Sequence, residues 1–291
     1  MGGQWLQFVA GGLTAGAIYA LVGLGFSIVF NASGAINFAQ GEFVMIGGMS
    51  AVALLATGLP LSLAIALALA VAVIVGLLLD KLAIEPARNA GTVTLIIITI
   101  GASLFLRGLA QLVWDKRIHV LPAFSGEQPI RLAGATLLPQ SLWVLGVTAL
   151  AVAVLSWFFG RTLFGKAMLA SSYNALAARL VGIQTRTVLL VSFGLAALLG
   201  ALAGVLTAPI TFTSYDSGLM LGLKGFAAAM LGGLGSFAGA VVGGLVLGLL
   251  EALSAGFVSS AYKDAIAFLV LLALLFFMPG GLLGARRIER V

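Results

Sequence analysis

WLQFVAGGLTAGAIYALVGLGFSIVF, from Trp5 to Phe30, runs 26 residues without an Asp, Glu, Lys or Arg. A bilayer's hydrocarbon core is about 30 Å thick, and a helix needs roughly 20 mostly apolar residues to cross it. Every backbone N–H and C=O in lipid must be satisfied within the protein, so only helices and closed barrels span. The apolar residues here are continuous rather than alternating, which is the pattern of a helix and not of a barrel strand. No cation precedes the run, and the run is too long for the apolar core of a cleavable signal. It is expected to remain as a span.

The rest of the chain repeats this pattern. Of 291 residues, 62% are hydrophobic and 8% charged, against roughly 25% charged in a soluble domain. About nine apolar runs are expected to be spans, near 5–30, 38–57, 61–80, 92–114, 138–160, 186–208, 218–235, 237–257 and 262–278. The second and seventh are short and glycine-rich, the composition of broken or re-entrant helices. The fold class is therefore an all-α polytopic membrane protein, a single transmembrane domain over 1–291.

Charge sets the expected orientation. Lys81 and Arg88, then Arg161, Lys166, Arg179 and Arg186, then Arg286, Arg287 and Arg290 hold nine of the fifteen basic residues. Such clustering marks cytoplasmic ends, which puts the C-terminus in the cytoplasm and residues 115–137 outside. That outer loop carries Pro122, Gly126, Pro129 and Gly134, which favour turns. Basic residues are not interleaved with aromatics, so a nucleic-acid surface is excluded. There are no cysteines, which removes disulfides and thiolate metal sites. His119, the single histidine, reads as a solvated loop residue. There is no Ser-His-Asp set or metal cluster to suggest an enzyme.

Glycines four apart, at Gly12/Gly16, Gly200/Gly204, Gly239/Gly243 and Gly244/Gly248, make flat grooves for close helix packing. NFAQGEFVMIGG (Asn37–Gly48) and GLKGFAAAMLGG (Gly222–Gly233) each place a Met two residues before a Gly-Gly pair. They fall on spans of opposite direction, as an inverted repeat of two halves demands; such repeats place a substrate site between them.

Asn37, Gln40 and Glu42 gather polar groups beside an apolar run. A carboxylate within a span faces protein or water, so these residues read as substrate path or its bracing. Equally, Glu42 reads as a first-turn anion near the cytoplasmic end, favouring the helix dipole. Glu251 raises the same question. GRTLFGKA (Gly160–Ala167) fits the glycine-lysine core of a phosphate-binding loop. It has Ala167 where magnesium binding requires Ser or Thr, and it follows a span rather than a strand; no ATP site is expected. Within the cytoplasmic segment 161–185, residues 165–182 are expected to form one short amphipathic helix, with Met168, Leu169, Leu176, Leu180 and Ile183 at spacings compatible with one face. Such a helix lies on a membrane or docks in a partner's groove.

Three stretches together resemble the inner-membrane permeases of branched-chain amino-acid ABC importers. They are GGLTAGAIYALVGLGFSIVFNASGAINFAQGEFVMIGG (Gly11–Gly48), NALAARLVGI (Asn174–Ile183) and LKGFAAAMLGGLGSFAGAVVGGLVLGLLEAL (Leu223–Leu253), the last followed by YKDAIAFLVLLALLFFMPGGLLG (Tyr262–Gly284). The resemblance implies a second related permease, two cytoplasmic ATP-binding subunits that carry the ATP and magnesium, and an extracytoplasmic solute-binding protein. It also implies that 161–185 couples to the ATPases: Ala177, Ala178 and Gly182 match the importer docking pattern E-A-A-x-x-x-G, with Arg179 beside them, while Leu176 replaces its glutamate. The implied solutes are branched-chain or other hydrophobic amino acids, with urea, short amides or aromatic acids as alternatives. An ion-coupled secondary transporter is the rival of a different class; few acids other than Glu42 and Glu251 fall within spans to serve it.

Overall fold

A computed structural model describes residues 2–88, 90–126, 128–132 and 135–284. The tail cations Arg286, Arg287 and Arg290, and Gly134 of the outer loop, lie outside the described residues. The chain forms α1 (Gly2–Ser33), α2 (Gln40–Ala56), α3 (Leu61–Leu79), a π-helical turn (Asp80–Ile84), α4 (Thr92–Trp114), α5 (Pro139–Arg161), α6 (Leu163–Tyr173), α7 (Ala175–Leu180), α8 (Thr185–Thr211), α9 (Ser217–Gly232), α10 (Phe237–Phe257) and α11 (Lys263–Phe277). Among the described residues six helices are long and apolar enough to cross a membrane, and α2 and α9 are shorter apolar helices. The fold is an all-α polytopic membrane protein.

The long helix α1 is the axis of the bundle, and the expected glycine grooves are where its neighbours close on it. Gly12 and Gly16 of α1 face Gly244 and Gly248 of α10 so closely that a Cβ on any of the four would meet the opposing backbone. Gly200 and Gly204 of α8 receive Gln40, Phe43 and Val44 of α2, and Gly239 and Gly243 of α10 receive α9 at Ala228 and Gly232. Small residues here replace the hydrophobic effect as the means of helix association, since lipid is as apolar as the side chains. By contrast α3, α4 and α5 turn large apolar side chains outward, including Ile97, Phe105, Leu112, Leu150 and Trp157.

Contacts between loops sort the helix ends into two groups. At one end Gln7 Oε1 accepts from Thr136 N, and His119 and Thr213 exchange backbone hydrogen bonds of 2.8 and 2.9 Å. His119 is thus held in a bridge and is only half-exposed, rather than freely solvated. The outer loop also contains a short antiparallel hairpin, β1 (Ile130–Leu132) with β2 (Ala135–Leu137), which turn-forming residues alone did not reveal. At the other end Asn31 donates to Gly235 O at 2.8 Å and Arg186 pairs with Glu85. Lys81, Arg88, Arg161, Lys166, Arg179 and Arg186 all belong to this second, basic end.

The expected single helix over 165–182 is two helices. Thr162 Oγ1 caps α6 by accepting from Gly165 N at 3.0 Å, and Asn174 Oδ1 caps α7 by accepting from Ala177 N at 2.9 Å. Asn174 is extended (φ −154°), so it ends one helix and starts the next. This break splits the apolar face: Met168 is buried under α6, while Leu176 and Leu180 stand exposed on α7. An asparagine inside a helical pattern is a cap signal, and here it outranks the periodicity.

Candidate functional site

The first turn of α2 begins half-way through the bundle. After α1 ends at Ser33, residues 34–39 are non-helical and run back along it until Gln40 lies against Gly25. Phe38 N donates to Thr99 Oγ1 at 3.1 Å, and Glu42 lies opposite Ser103, the midpoint of α4. α2 has 17 residues, about 25 Å at 1.5 Å per residue; it serves mainly the half of the span farther from the basic end. α9, with 16 residues, is its counterpart. It starts beside α2, with Gly41 against Gly218 and Gly222, and runs the opposite way, to the basic end. The two repeated sequences therefore form short antiparallel helices that meet near their N-termini. A broken helix with its start at mid-depth is how transporters bring backbone dipoles and polar side chains to a solute.

Asn37, Gln40 and Glu42 are sealed, each no more than 1% exposed, but their side chains face different neighbours, Gln40 towards α1 and α8 and Glu42 towards α4. Asn37 Oδ1 accepts from Ala39 N at 3.1 Å and shapes the turn that launches α2. Gln40 Nε2 donates to Ala196 O at 2.9 Å, strapping α2 to the middle of α8. Glu42 Oε1 accepts from Ser103 Oγ and from Arg107 Nη2, both at 2.7 Å. Glu42 does lie in the first turn of α2, yet at mid-depth and ion-paired rather than near the basic end. Arg107 is the one charged member that reaches the surface of the chain, its side chain 18% exposed.

Asn37 Nδ2, Gln40 Oε1, Glu42 Oε2 and Arg107 Nε are buried without a hydrogen-bond partner, and a buried polar atom left unpaired costs roughly 1–3 kcal/mol.

A second polar cluster joins α1, α9, α10 and α11. Tyr19 Oη donates to Glu251 Oε2 at 2.6 Å, and Lys224 Nζ donates to Glu251 Oε1 at 2.8 Å and to Tyr19 Oη at 3.2 Å. Asp264 and Lys263 complete it, at 2.8 Å from Lys224 and 3.4 Å from Glu251 respectively. Glu42 and Glu251 thus each carry a cation, whereas Asp80, equally buried near the end of the span Leu61–Ile84, has no salt bridge among the described residues. Sequence reasoning did not single out Arg107 or Lys224. The signal was available, since each is a lone cation inside an apolar run; what was missing was the partner, 65 residues away for Arg107 and 27 for Lys224.

At the basic end, Ala177 and Arg179 are exposed on α7, with Arg179 Nε donating to Thr185 Oγ1 at 2.9 Å. Ala178 faces the body of the chain and is 3% exposed. Gly182 ends the segment with φ +87°, a conformation that residues with a Cβ resist. Leu176, Leu180 and Val181 form an apolar knob around it, Leu180 being 82% exposed.

Comparison with known proteins agrees over nearly the full length. Residues 8–275 match the family described as "Branched-chain amino acid transport system / permease component". The chain is 36% identical to the high-affinity branched-chain amino acid transport system permease protein LivH of Salmonella typhimurium, covering 99% of this chain and 98% of that protein. It is 33% identical to the corresponding permease protein BraD of Pseudomonas aeruginosa, with the same coverage of 99% and 98%. Among solved structures, PsaBC from Streptococcus pneumoniae in complex with Fab is similar in fold, with a TM-score of 0.51, 15% identity and 95% of each chain covered.

Proposed function

This chain belongs to the family of permease components of branched-chain amino acid transport systems, and we propose that it is the membrane-spanning subunit of an ATP-driven importer for branched-chain or other hydrophobic amino acids. In this reading it lies in a bacterial inner membrane beside a second, related permease, with its basic end and C-terminus in the cytoplasm. Two ATP-binding subunits dock at that end, and an extracytoplasmic binding protein delivers solute to the outer loop, residues 115–137. The chain itself binds neither ATP nor magnesium. ATP closure moves the 161–185 segment, and the bundle alternates access to Asn37, Gln40 and Glu42 along the path.

The observation that carries the docking assignment is the knob on α7. Leu176, Leu180 and Val181 project from the basic end, exposed among the described residues, and a short helix with an apolar face suits a partner's groove. Ala178 then supports the knob from within, while Ala177 and Arg179 flank it. An exposed apolar side chain replaced by a charge weakens such a contact without touching the core. Leu176→Asp combined with Leu180→Asp is expected to leave folding and insertion intact and to lower retention of the ATPase subunits on the affinity-tagged permease at least tenfold, the scale of losing two buried leucines. Undiminished retention would place the docking surface elsewhere.

A further inference from the structure

Resting on the importer reading, we propose that Asp80 receives the motion of the coupling segment inside the bundle, by pairing with Arg179 when α7 is driven inward. Both residues line one cavity of about 220 Å3 at the basic end. The π-helical turn contributes Asp80 and Glu85 to it, α7 contributes Arg179, and Arg88 and Arg186 complete its charged lining. Glu85 and Arg186 already pair with each other. Asp80 is buried with no salt bridge among the described residues, and its Oδ1 has no hydrogen-bond partner. A carboxylate left unpaired in low dielectric is unfavourable, so a cation that advances into the cavity is drawn to it.

The backbone on both sides of the cavity suits this role. The six residues of α7 lie between Asn174, extended at φ −154°, and Gly182 at φ +87°. Breaks of this kind at element ends absorb the rotation of the rigid piece between them. Leu176 and Leu180 stand exposed on α7, while Arg179 lines the cavity and donates through Nε to Thr185 Oγ1 at 2.9 Å. A carboxylate is a stronger acceptor for a guanidinium than a neutral hydroxyl, so Arg179 gains by moving onto Asp80. On the receiving side Asp80 opens the π-helical turn, in which Glu85 N donates to Asp80 O at 2.7 Å; such turns recur at functional sites. The turn continues α3, where a Cβ on Gly76 would meet Ala197 and Phe193 of α8. α8 in turn holds Gln40 through Ala196 O. An Asp80–Arg179 pair therefore ties α7 to the helices that clasp the start of α2.

A double-mutant cycle on the complete complex in proteoliposomes tests the pair, with Asp80→Asn, Arg179→Gln and the two combined. The readout is radiolabelled L-leucine imported per ATP hydrolysed, with the melting temperature of each nucleotide-free complex measured alongside. Each single change is expected to lower that ratio about tenfold, the scale of one charge-assisted hydrogen bond. The combined variant is expected to lose no more than either single one, as for two residues that act only through each other. Asp80→Asn is expected to keep or raise the melting temperature, because it removes an unpaired buried charge from the resting state. A lowered melting temperature would make Asp80 a static brace and overturn the proposal. So would a normal ratio in both single variants, or a combined loss of about a hundredfold, the product of two independent effects. Arg88→Gln with Asp80→Asn is the control and is expected to be additive; non-additivity there in place of Arg179 would overturn the assignment of the cation. Failure of the importer reading is seen separately, in an unmodified complex that imports nothing with ATP. If the unmodified complex imports a different solute, the amino-acid assignment fails instead, and the same cycle read with that solute decides the pair.

Discussion

Arg107 and Glu42 set the energetics of the polar cluster, and their unequal burial makes the pair asymmetric. Glu42 is 1% exposed and Arg107 18%. Removing one partner of a buried ion pair typically costs 3–5 kcal/mol, because the other charge is left unpaired in low dielectric. Arg107→Ala strands the deeper charge and is expected to cost about 3 kcal/mol; Glu42→Gln leaves a cation that reaches water and is expected to cost about half as much. Melting temperatures of the two purified variants measure the order, and equal losses would mean that the pair is solvated. Glu42 was visible in the sequence as an acid beside an apolar run. Its depth was not, because residues 34–39 carry no mark that they travel back along α1. Its partner was equally hidden, since only tertiary contact brings residue 107 to residue 42.

At the scale of elements, the glycine spacing was the most legible feature and the short helices the least. Gly200 and Gly204 were expected at a packing face and do receive α2, with Gly204 against the Val44 backbone. Gly101, on the uncovered face of α4, has open space around it. The same substitution at the two sites therefore has different outcomes. Gly204→Val forces α2 away from α8 and is expected to destabilise the bundle by about 1–3 kcal/mol, as overpacking does, whereas Gly101→Val is expected to be neutral or slightly stabilising, since helical glycine costs up to about 1 kcal/mol. Thermal unfolding of the two variants checks this, and equal effects would refute the packing of α2 on α8. Expected spans at 92–114 and 237–257 coincide with α4 and α10, since long apolar runs bounded by turns fix helix ends well. Periodicity failed over 165–182, where Asn174 interrupts a helix that hydrophobic spacing alone would continue; local capping decided the backbone there. The outer hairpin of β1 and β2 escaped for a related reason, being only three residues per strand.

On the scale of the whole molecule, the chain divides into a sealed axis and two unlike ends. Among the described residues the axis contains paired charges where α2 and α9, the short repeated helices, approach α4 and α10. One end carries the basic loops and the α7 knob, and the other the hairpin and the His119–Thr213 bridge. Such polarity suits a machine driven from one side and loaded from the other. The buried carboxylates Glu42 and Glu251 are each ion-paired within the chain, while Asp80, buried at the basic end without a salt bridge among the described residues, is the acid that an ion-coupled rival would have to use. On the proposed function, import is driven by ATP at the basic end and not by an ion gradient. Its most direct test is uptake of radiolabelled L-leucine into proteoliposomes that hold the complete complex, with loaded binding protein outside and ATP enclosed, in the absence of any ion gradient. Accumulation that requires enclosed ATP and persists when ionophores abolish residual gradients is the predicted result; uptake that proceeds without ATP and collapses with the gradient would contradict it.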